Sequence, residues 1–588
     1  MRVAFLNLPA GVVFALTMAC ALVTSGAPVQ LLEQQPVRIV SVAPGVSLID
    51  FGRVAFGNLR LLPSAGASGK ITVHFGETLT AGRIDRHPPG SVRYAAAGTS
   101  LGGTNALVVA SPADRRNTTQ PEAVLTAPEF GVLLPFRWVE IEGWPGDLKS
   151  EQIRRRAVFA RGWDDGNSGF KCPDEMLNQV WELSRYSIKA TTFAGIYVDG
   201  DRERIAYEAD AYINQLGEYY ASGGTQMARD TFDRLMSHPT WPSEWAPHMI
   251  FIAYADWMQT GDTNWLALRY AALKTKLQSE RLRPDGLIGS NESQMKRDDL
   301  VDWPAGERDA FVFTPANTVV NAFHLRALAL MAELARALNL RADADDFSAR
   351  ERVARMAFQR MFFDTTRGLY RDGEGTDHCS LHANLFPLAF GLATVEHREH
   401  IAQWLCERGM KCSVYAAQYL LEGLFENDQA AQAIALMTAP GDRSWRHMVE
   451  SGATITWEAW DQRYKPNLDW NHAWGAAPAN LLPRFVLGAQ PLSPGWKRAI
   501  IRPEPGPLDR AEGKVPTALG PISITWTHAG GFTLSLALPP GMSARVEIPA
   551  PENSTSVFLN GTSVRARREG RWWVLNNDVT SSALIEAK

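Results

Sequence analysis

Between Tyr197 and Gln215 the chain reads YVDGDRERIAYEADAYINQ, which crowds Asp199, Asp201, Arg202, Glu203, Arg204, Glu208 and Asp210 just ahead of an apolar helical pattern. Acids and bases mixed this densely can hold one carboxyl protonated while its neighbours stay ionised, which is how carboxylates divide acid and base work near neutral pH. The competing reading is a solvated, charge-laced helix start, because charge runs usually face water. A second stretch, GATITWEAWD from Gly452 to Asp461, sets Glu458 beside Trp457 and Trp460 and is followed by WNHAWGA from Trp470 to Ala476. The two indoles offer Glu458 an apolar wall that excludes bulk water; a helix-face carboxylate beside core tryptophans is the alternative. His472 lies between Trp470 and Trp474, so a place lining a site competes with a purely structural one.

These residues need a large scaffold. At 588 residues the chain is long enough for about three or four domains with ample core. A net charge of −4 leaves no basic field for a phosphate backbone, so nucleic acid is not expected as a partner. Nineteen Trp with only 21% charged residues describe a chain rich in flat apolar faces, on which sugar rings stack, although most such rings belong to cores. Arg2, the apolar run from Pro9 to Val23 and the small residues Ser25, Gly26 and Ala27 form a secretory signal pattern over residues 1–27, so export to the periplasm or medium is expected. Cys20 within that run is a weaker candidate for lipidation. No other stretch supplies the roughly 18 uninterrupted apolar residues of a membrane span. Past the leader, Cys406 and Cys412 are the only close cysteine pair and no metal-ligand CxxC spacing occurs, so neither a metal nor a cofactor is expected.

Periodicity divides the remainder into three blocks. From 28 to 164 alternation is strand-like: Ile71, Val73 and Phe75 interleave with polar residues, and Trp138, Val139 and Ile141 form a similar run. From 165 to 486 the period becomes helical: Leu177, Val180, Trp181 and Ile188 share a stripe after Pro173, placed at a first helical position, and Phe323, Ala327, Leu330, Met331, Leu334 and Leu338 share another. Roughly a dozen such segments suit a toroid of paired helices better than a four-helix bundle. From 487 to 588 alternation returns, with Ile522, Ile524 and Trp526 reaching Gly530-Gly531 and then Phe532, Leu534 and Leu536, a hairpin. The expected architecture is multidomain: an (α/α)6 toroid flanked by two antiparallel β-sandwiches.

The chain resembles the inverting α-L-rhamnosidases of glycoside hydrolase family 78. The family's stretch of Asp-Cys-Pro leading to Arg, then Glu-Arg, an apolar residue, Gly-Trp, one residue and Gly-Asp has its counterpart in VDGDR followed by ERIAYEAD, Glu203 to Asp210. GATITWEAWD with WNHAWGA is a second match; SLHANLFPLAFGL from Ser380, and Asp50-Phe51-Gly52 with FRWVEIEGWPG from Phe136, support it. The resemblance implies a (α/α)6 six-hairpin catalytic domain, an exo-acting hydrolase that releases terminal α-L-rhamnose with inversion, and a carbohydrate as the partner. It makes Glu203 the general acid and Glu458 the general base, which stand about 6.5–9.5 Å apart in inverting enzymes to admit a water. It makes Asp199, Arg202, Tyr207, Asp210, Asp302, Trp303, Trp460 and His472 substrate-binding candidates, with a turn before Pro304 as the alternative for Asp302-Trp303.

Three departures stand out. Asp199-Gly200-Asp201 replaces Asp-Cys-Pro in a shorter loop, Ala206-Tyr207 replaces Gly-Trp, and Ala209 replaces Gly. The shorter loop moves Asp199 relative to the sugar hydroxyls, so another deoxy sugar or a uronic acid remains an alternative substrate. A non-catalytic sugar-binding protein is the alternative from outside the enzymes.

Overall fold

The structure is a computed structural model that describes residues 28–102 and 105–588; the leader and Cys20 lie outside the described residues. The chain folds as a β domain, a helical toroid and a second β domain.

The first domain is built on an eight-stranded antiparallel sheet, with a two-stranded one, Leu79–Thr80 with Arg83–Ile84, beside it. Its axis is the 16-residue strand Val46–Leu61, which pairs with Arg38–Ala43, Leu107–Val109, Leu134–Glu142 and Ile153–Ala160. The register with Leu134–Glu142 slips between Asp50 and Ala55, where Gly52 takes a φ of 81° and donates its N–H to Asp50 Oδ1 at 2.7 Å. Such a bulge bends a strand. Ile49 and Phe51 before the slip share one core with Leu59 and Leu61 after it, together with Ile71, Val73, Phe75, Val139 and Ile141.

Six inner helices close a ring, each packing on the next: α1 (Glu208–Ala221), α2 (His248–Thr260), α3 (Thr318–Ala337), α4 (Leu381–Ala389), α5 (Ala416–Glu426) and α6 (Pro478–Leu481), the last running on into a π turn, Leu482–Val486. An outer helix precedes each one, over 175–190, 226–237, 263–273, 341–362, 395–408 and 430–437. Burial follows the sequence stripes: Leu177, Val180, Trp181 and Ile188 are buried on the first outer helix and Phe323, Ala327, Leu330, Met331 and Leu334 on α3. The first outer helix starts at Glu175 with Asp174 as its cap, accepting from Leu177 N at 3.1 Å, so Pro173 stands ahead of the cap instead of in the first turn. The one helix of membrane-spanning length and hydropathy among the described residues is α3, and 83% of its apolar window is buried in the toroid core.

The last domain packs a seven-stranded sheet on a five-stranded one. The hairpin Ile522–Thr527 with Phe532–Ala537 turns at Gly530-Gly531 and pairs Trp526 with Leu534. The seven-stranded sheet also takes in Gly169–Lys171, from ahead of the first outer helix, paired with Glu512–Lys514 of a strand far later in the chain. Cys172, Cys379, Cys406 and Cys412 are all free thiols; Cys406 lies beside Gln429 rather than bridging to Cys412.

Candidate active site

Helix starts gather at one mouth of the ring, and so do the loops that carry the charged motifs. The loop Asp199–Ala206 leads into α1 and is closed by Asp199, whose N–H donates to the Ile205 carbonyl at 2.8 Å while its Oδ1 accepts from Ile205 N at 2.9 Å. Asp201 anchors the loop from behind. Its Oδ1 accepts from Arg204 Nη2 at 2.6 Å, its Oδ2 accepts from Arg93 of the first domain, and its N–H donates to Asn471 Oδ1 at 2.7 Å. Burial works against the charge on Asp201, but Arg93 and Arg204 outweigh it and hold the carboxyl below the usual range. Gly200 faces this crowd without a side chain. A Cβ there would stand 2.9 Å from Asp469 Oδ2 and 3.1 Å from the Asn471 carbonyl, so the glycine that replaces the expected cysteine is what lets the two loops meet.

Arg202 joins the two motifs. Its Nη1 and Nη2 donate to Glu458 Oε2 and Oε1 at 2.6 and 2.9 Å, a fork on one carboxylate, while its Nε reaches Glu203 Oε1 at 3.3 Å. Carboxyls 255 positions apart thereby sit within the span of one guanidinium. Glu458 is buried and also faces Lys465 Nζ at 3.3 Å; Glu203 is half-buried and accepts from the Tyr207 hydroxyl at 3.2 Å. Arg202 occupies one lone pair on each Glu458 oxygen and Lys465 faces the second on Oε1, which leaves the free one on Oε2.

The cavity between them holds about 230 Å³. Asp199, Arg202, Tyr207, Asp210 and His472 line it with the two glutamates, as the sequence led us to expect, and Trp303 stands at its rim, 37% exposed. His472 Nε2 lies 2.8 Å from Asp210 Oδ1 and its Nδ1 3.5 Å from Asp469 Oδ1. Burial disfavours the imidazolium there, but the two flanking carboxylates prevail and hold its pKa well above the ordinary histidine value. Asp199 moves upward too, first through burial and then through Glu203 and Asp469, so it is the carboxyl inclined to keep its proton. Glu458, Asp469 and His472 place ligand-type atoms within 4.8 Å of one another, but Arg202 and Asp210 already hold Glu458 and His472, so the trio is a charge network.

Two expectations are corrected. Asp302 does not line the cavity: it is fully buried behind Trp303, accepting from His382 Nε2 at 2.7 Å, from Ser413 N at 2.9 Å and from Trp303 N at 2.8 Å, a brace for the loops beneath. Trp460 also lies behind the wall, its Nε1 donating to the Cys412 carbonyl at 2.7 Å and its ring edge-on to Trp445. Both residues adjoin a site residue in sequence, but turn to the core because their polar atoms find buried partners there.

Others were missed. Trp241, Trp245, Lys465, Asn467 and Trp474 line the cavity, and Asp469 sits fully buried beside it with neither carboxylate oxygen accepting a hydrogen bond from a described residue. Tyr207 meets Trp241 and Trp245 edge-on at 5.9 and 5.7 Å. A signal was present: Trp241 and Trp245 sit in TWPSEWAP, the loop just before an inner helix, where the other site residues also sit.

Three family models match. That of the bacterial alpha-L-rhamnosidase six-hairpin glycosidase domain covers residues 165–486, the concanavalin-like domain 40–159 and the C-terminal domain 488–562. An alpha-L-rhamnosidase of Streptomyces avermitilis is 22% identical over 92% of this chain and 52% of its own length; one of Alteromonas sp. is 26% identical over 71% and 48%. The chain spans about half the length of the curated relatives it matches. Among solved structures, that of an alpha-L-rhamnosidase from Dictyoglumus thermophilum aligns with a TM-score of 0.79 at 18% identity, over 96% of this chain and 64% of its own. The Streptomyces avermitilis enzyme complexed with L-rhamnose gives 0.77 at 20% identity, over 96% and 54%. At these identities the structures establish likeness of fold.

Proposed function

The chain belongs to the bacterial α-L-rhamnosidase six-hairpin glycosidase family, and from that membership we propose that it hydrolyses a terminal α-L-rhamnosyl bond with inversion. The observation that carries this reading is Arg202, whose guanidinium holds Glu458 by two bonds and touches Glu203 by a third inside one aromatic-walled cavity. Glycoside hydrolysis by inversion needs one carboxyl to protonate the leaving oxygen and another to activate a water on the opposite face of the ring. Glu203, half-buried and touched by Tyr207, is the group we assign to proton donation toward a leaving group that departs to solvent. Glu458, buried under Trp474, whose Nε1 donates to its carbonyl at 3.0 Å, is the group we assign to the water: Arg202 fixes its plane and Oε2 keeps a free lone pair. Asp199, inclined to hold a proton, can donate to a sugar hydroxyl, and Asp210 can accept from one.

Charge speaks for a neutral sugar. Asp199, Glu203, Asp210 and Glu458 line the cavity against Arg202 and Lys465, both already facing Glu458, so a uronate would find no free cation. The test is a panel of nitrophenyl α-L-rhamnoside, α-L-fucoside and β-glucuronide, with proton NMR of the first product formed. We expect turnover of the rhamnoside and release of the β-anomer; release of the α-anomer makes one carboxylate a nucleophile and ends the assignment.

A further inference from the structure

The toroid has a second cavity at its opposite mouth, where the inner helices end. It holds about 200 Å³, close to the catalytic cavity in size. All six inner segments reach it, through Tyr219 and Tyr220 in the last turn of α1, Met258 and Gln259 in that of α2, and Ala389 at the end of α4, among others. Aromatic side chains make up much of its wall: Tyr212, Phe251, Tyr254, Phe390 and Tyr419. A packed aromatic layer separates it from the catalytic mouth, with His248 Nε2 2.7 Å from the Tyr419 hydroxyl and Phe323 stacked against Phe251.

Two polar groups in this cavity have no protein partner. Arg326, half-buried on α3, makes no hydrogen bond and no ion pair with any described residue, and the Tyr212 hydroxyl likewise makes no hydrogen bond. The neighbouring charges are committed: Arg484 Nη2 donates to Glu422 Oε1 at 2.6 Å, and Gln418 Nε2 to Glu422 Oε2 at 3.1 Å. The exposed Glu426 is the other carboxylate whose field reaches Arg326, without contact. Carbonyl ends of α1, α2 and α4 favour a cation at this mouth, but a dipole satisfies none of the five guanidinium donors. A planar fork of unused donors in a cavity lined by aromatic rings suits a carboxylate attached to a ring.

From this geometry we infer that the far cavity is a non-catalytic binding site for a small ring-bearing monocarboxylate, a uronic acid or a phenolic acid, held by Arg326 and Tyr212 with its ring on the tyrosine walls. This site is independent of the hydrolytic reading: it shares no residue with the catalytic cavity and contains no second free carboxyl for acid and base work.

Calorimetry and saturation-transfer NMR on the full chain test it with D-galacturonate and 4-hydroxybenzoate as probes, and D-galactose and 4-hydroxybenzamide as uncharged counterparts. At least one carboxylate should bind, its neutral counterpart at least tenfold more weakly, and Arg326→Gln should weaken the carboxylate at least tenfold while Trp245→Ala at the catalytic mouth leaves its affinity unchanged. Binding of galacturonate alone identifies the sugar acid as the source, and of hydroxybenzoate alone the phenolic acid. No binding of either carboxylate at about 10 mM, equal binding of the neutral counterparts, or an unchanged affinity in Arg326→Gln overturns the inference. The comparison of charged and neutral probes on the unaltered chain decides the matter even if Arg326→Gln does not fold.

Discussion

At one mouth the toroid gathers Asp199, Glu203, Asp210 and Glu458 around Arg202 and Lys465 under tryptophans; at the other, a single ion pair of Glu422 with Arg484 and the unpaired Arg326 sit among tyrosines. The flanking domains each cover one mouth. The first β domain meets the catalytic mouth through a buried ion pair, Arg93 on Asp201, and a buried carboxyl, Glu77, accepting from Asn471 Nδ2 at 3.3 Å and from Arg93 N at 2.7 Å. The last meets the far mouth through neutral contacts, Trp496 Nε1 on Gln259 at 2.7 Å and the Tyr220 hydroxyl on the Ala489 carbonyl at 3.3 Å, and through an ion pair, Arg571 Nε on Asp428 Oδ1 at 2.8 Å. One ring of helices thus offers two ends, and loop composition separates the end proposed for chemistry from the other. Helix starts bring unsatisfied N–H groups and the longer motif loops to the catalytic end; helix ends bring carbonyls to the other.

The contrast is sharpest at the glutamates. Glu458→Gln should lower turnover of every substrate by about 10²- to 10⁴-fold, and Glu203→Gln should do so chiefly for poor leaving groups while sparing activated nitrophenol. Steady-state kinetics on a natural glycoside and a nitrophenyl glycoside check both; equal losses on both substrates in Glu203→Gln would remove it as the acid. Next is Arg202→Lys, which keeps a charge but cannot fork across Glu458, and should cost on the order of 10²-fold in kcat through misplacement of the base. An unchanged kcat would mean that the fork has no part in positioning Glu458.

A smaller effect concerns stability. Burial pushes the Glu77 carboxyl from 4.5 up to about 8. The folded chain keeps a proton that the unfolded chain releases near pH 4.5, so this contribution is complete below about pH 4.5 and is lost as pH rises through about 8. The melting temperature should therefore fall between pH 5 and 8, and fall less steeply in Glu77→Gln; parallel slopes would clear Glu77 of that role. The smallest effect belongs to the far mouth, where Arg326→Gln should leave kcat and KM for the rhamnoside within about twofold, since changes at distant, unconnected sites act independently. A larger loss would mean that the two mouths communicate through the aromatic layer.

Much of this was legible beforehand because it is periodic or locally dense. The change from alternation to a helical stripe near 165 and back near 487 follows from which face each element buries, and Leu177 to Ile188 or Ile522 to Trp526 record that directly. Glu203, Glu458 and His472 stood in motifs with charged and aromatic neighbours. Trp241, Lys465 and Asn467 lay just outside the motifs singled out, and the folded ring turns their loops to the cavity. Asp302 and Trp460 erred in the other direction: sequence adjacency to Trp303 and Glu458 says nothing about orientation, which His382, Ser413 and Cys412 decide from distant positions.

Gly169–Lys171, the short strand ahead of the toroid, imposes an order on synthesis. It emerges from the ribosome more than 300 residues before the strand Arg510–Val515 that it pairs with, so throughout translation of the toroid it remains an open edge. Pairings of such long sequence separation form late and slowly. The nascent ring therefore waits for the last domain to clamp its first turn, and a stalled or truncated chain ending near 486 should expose that edge and aggregate.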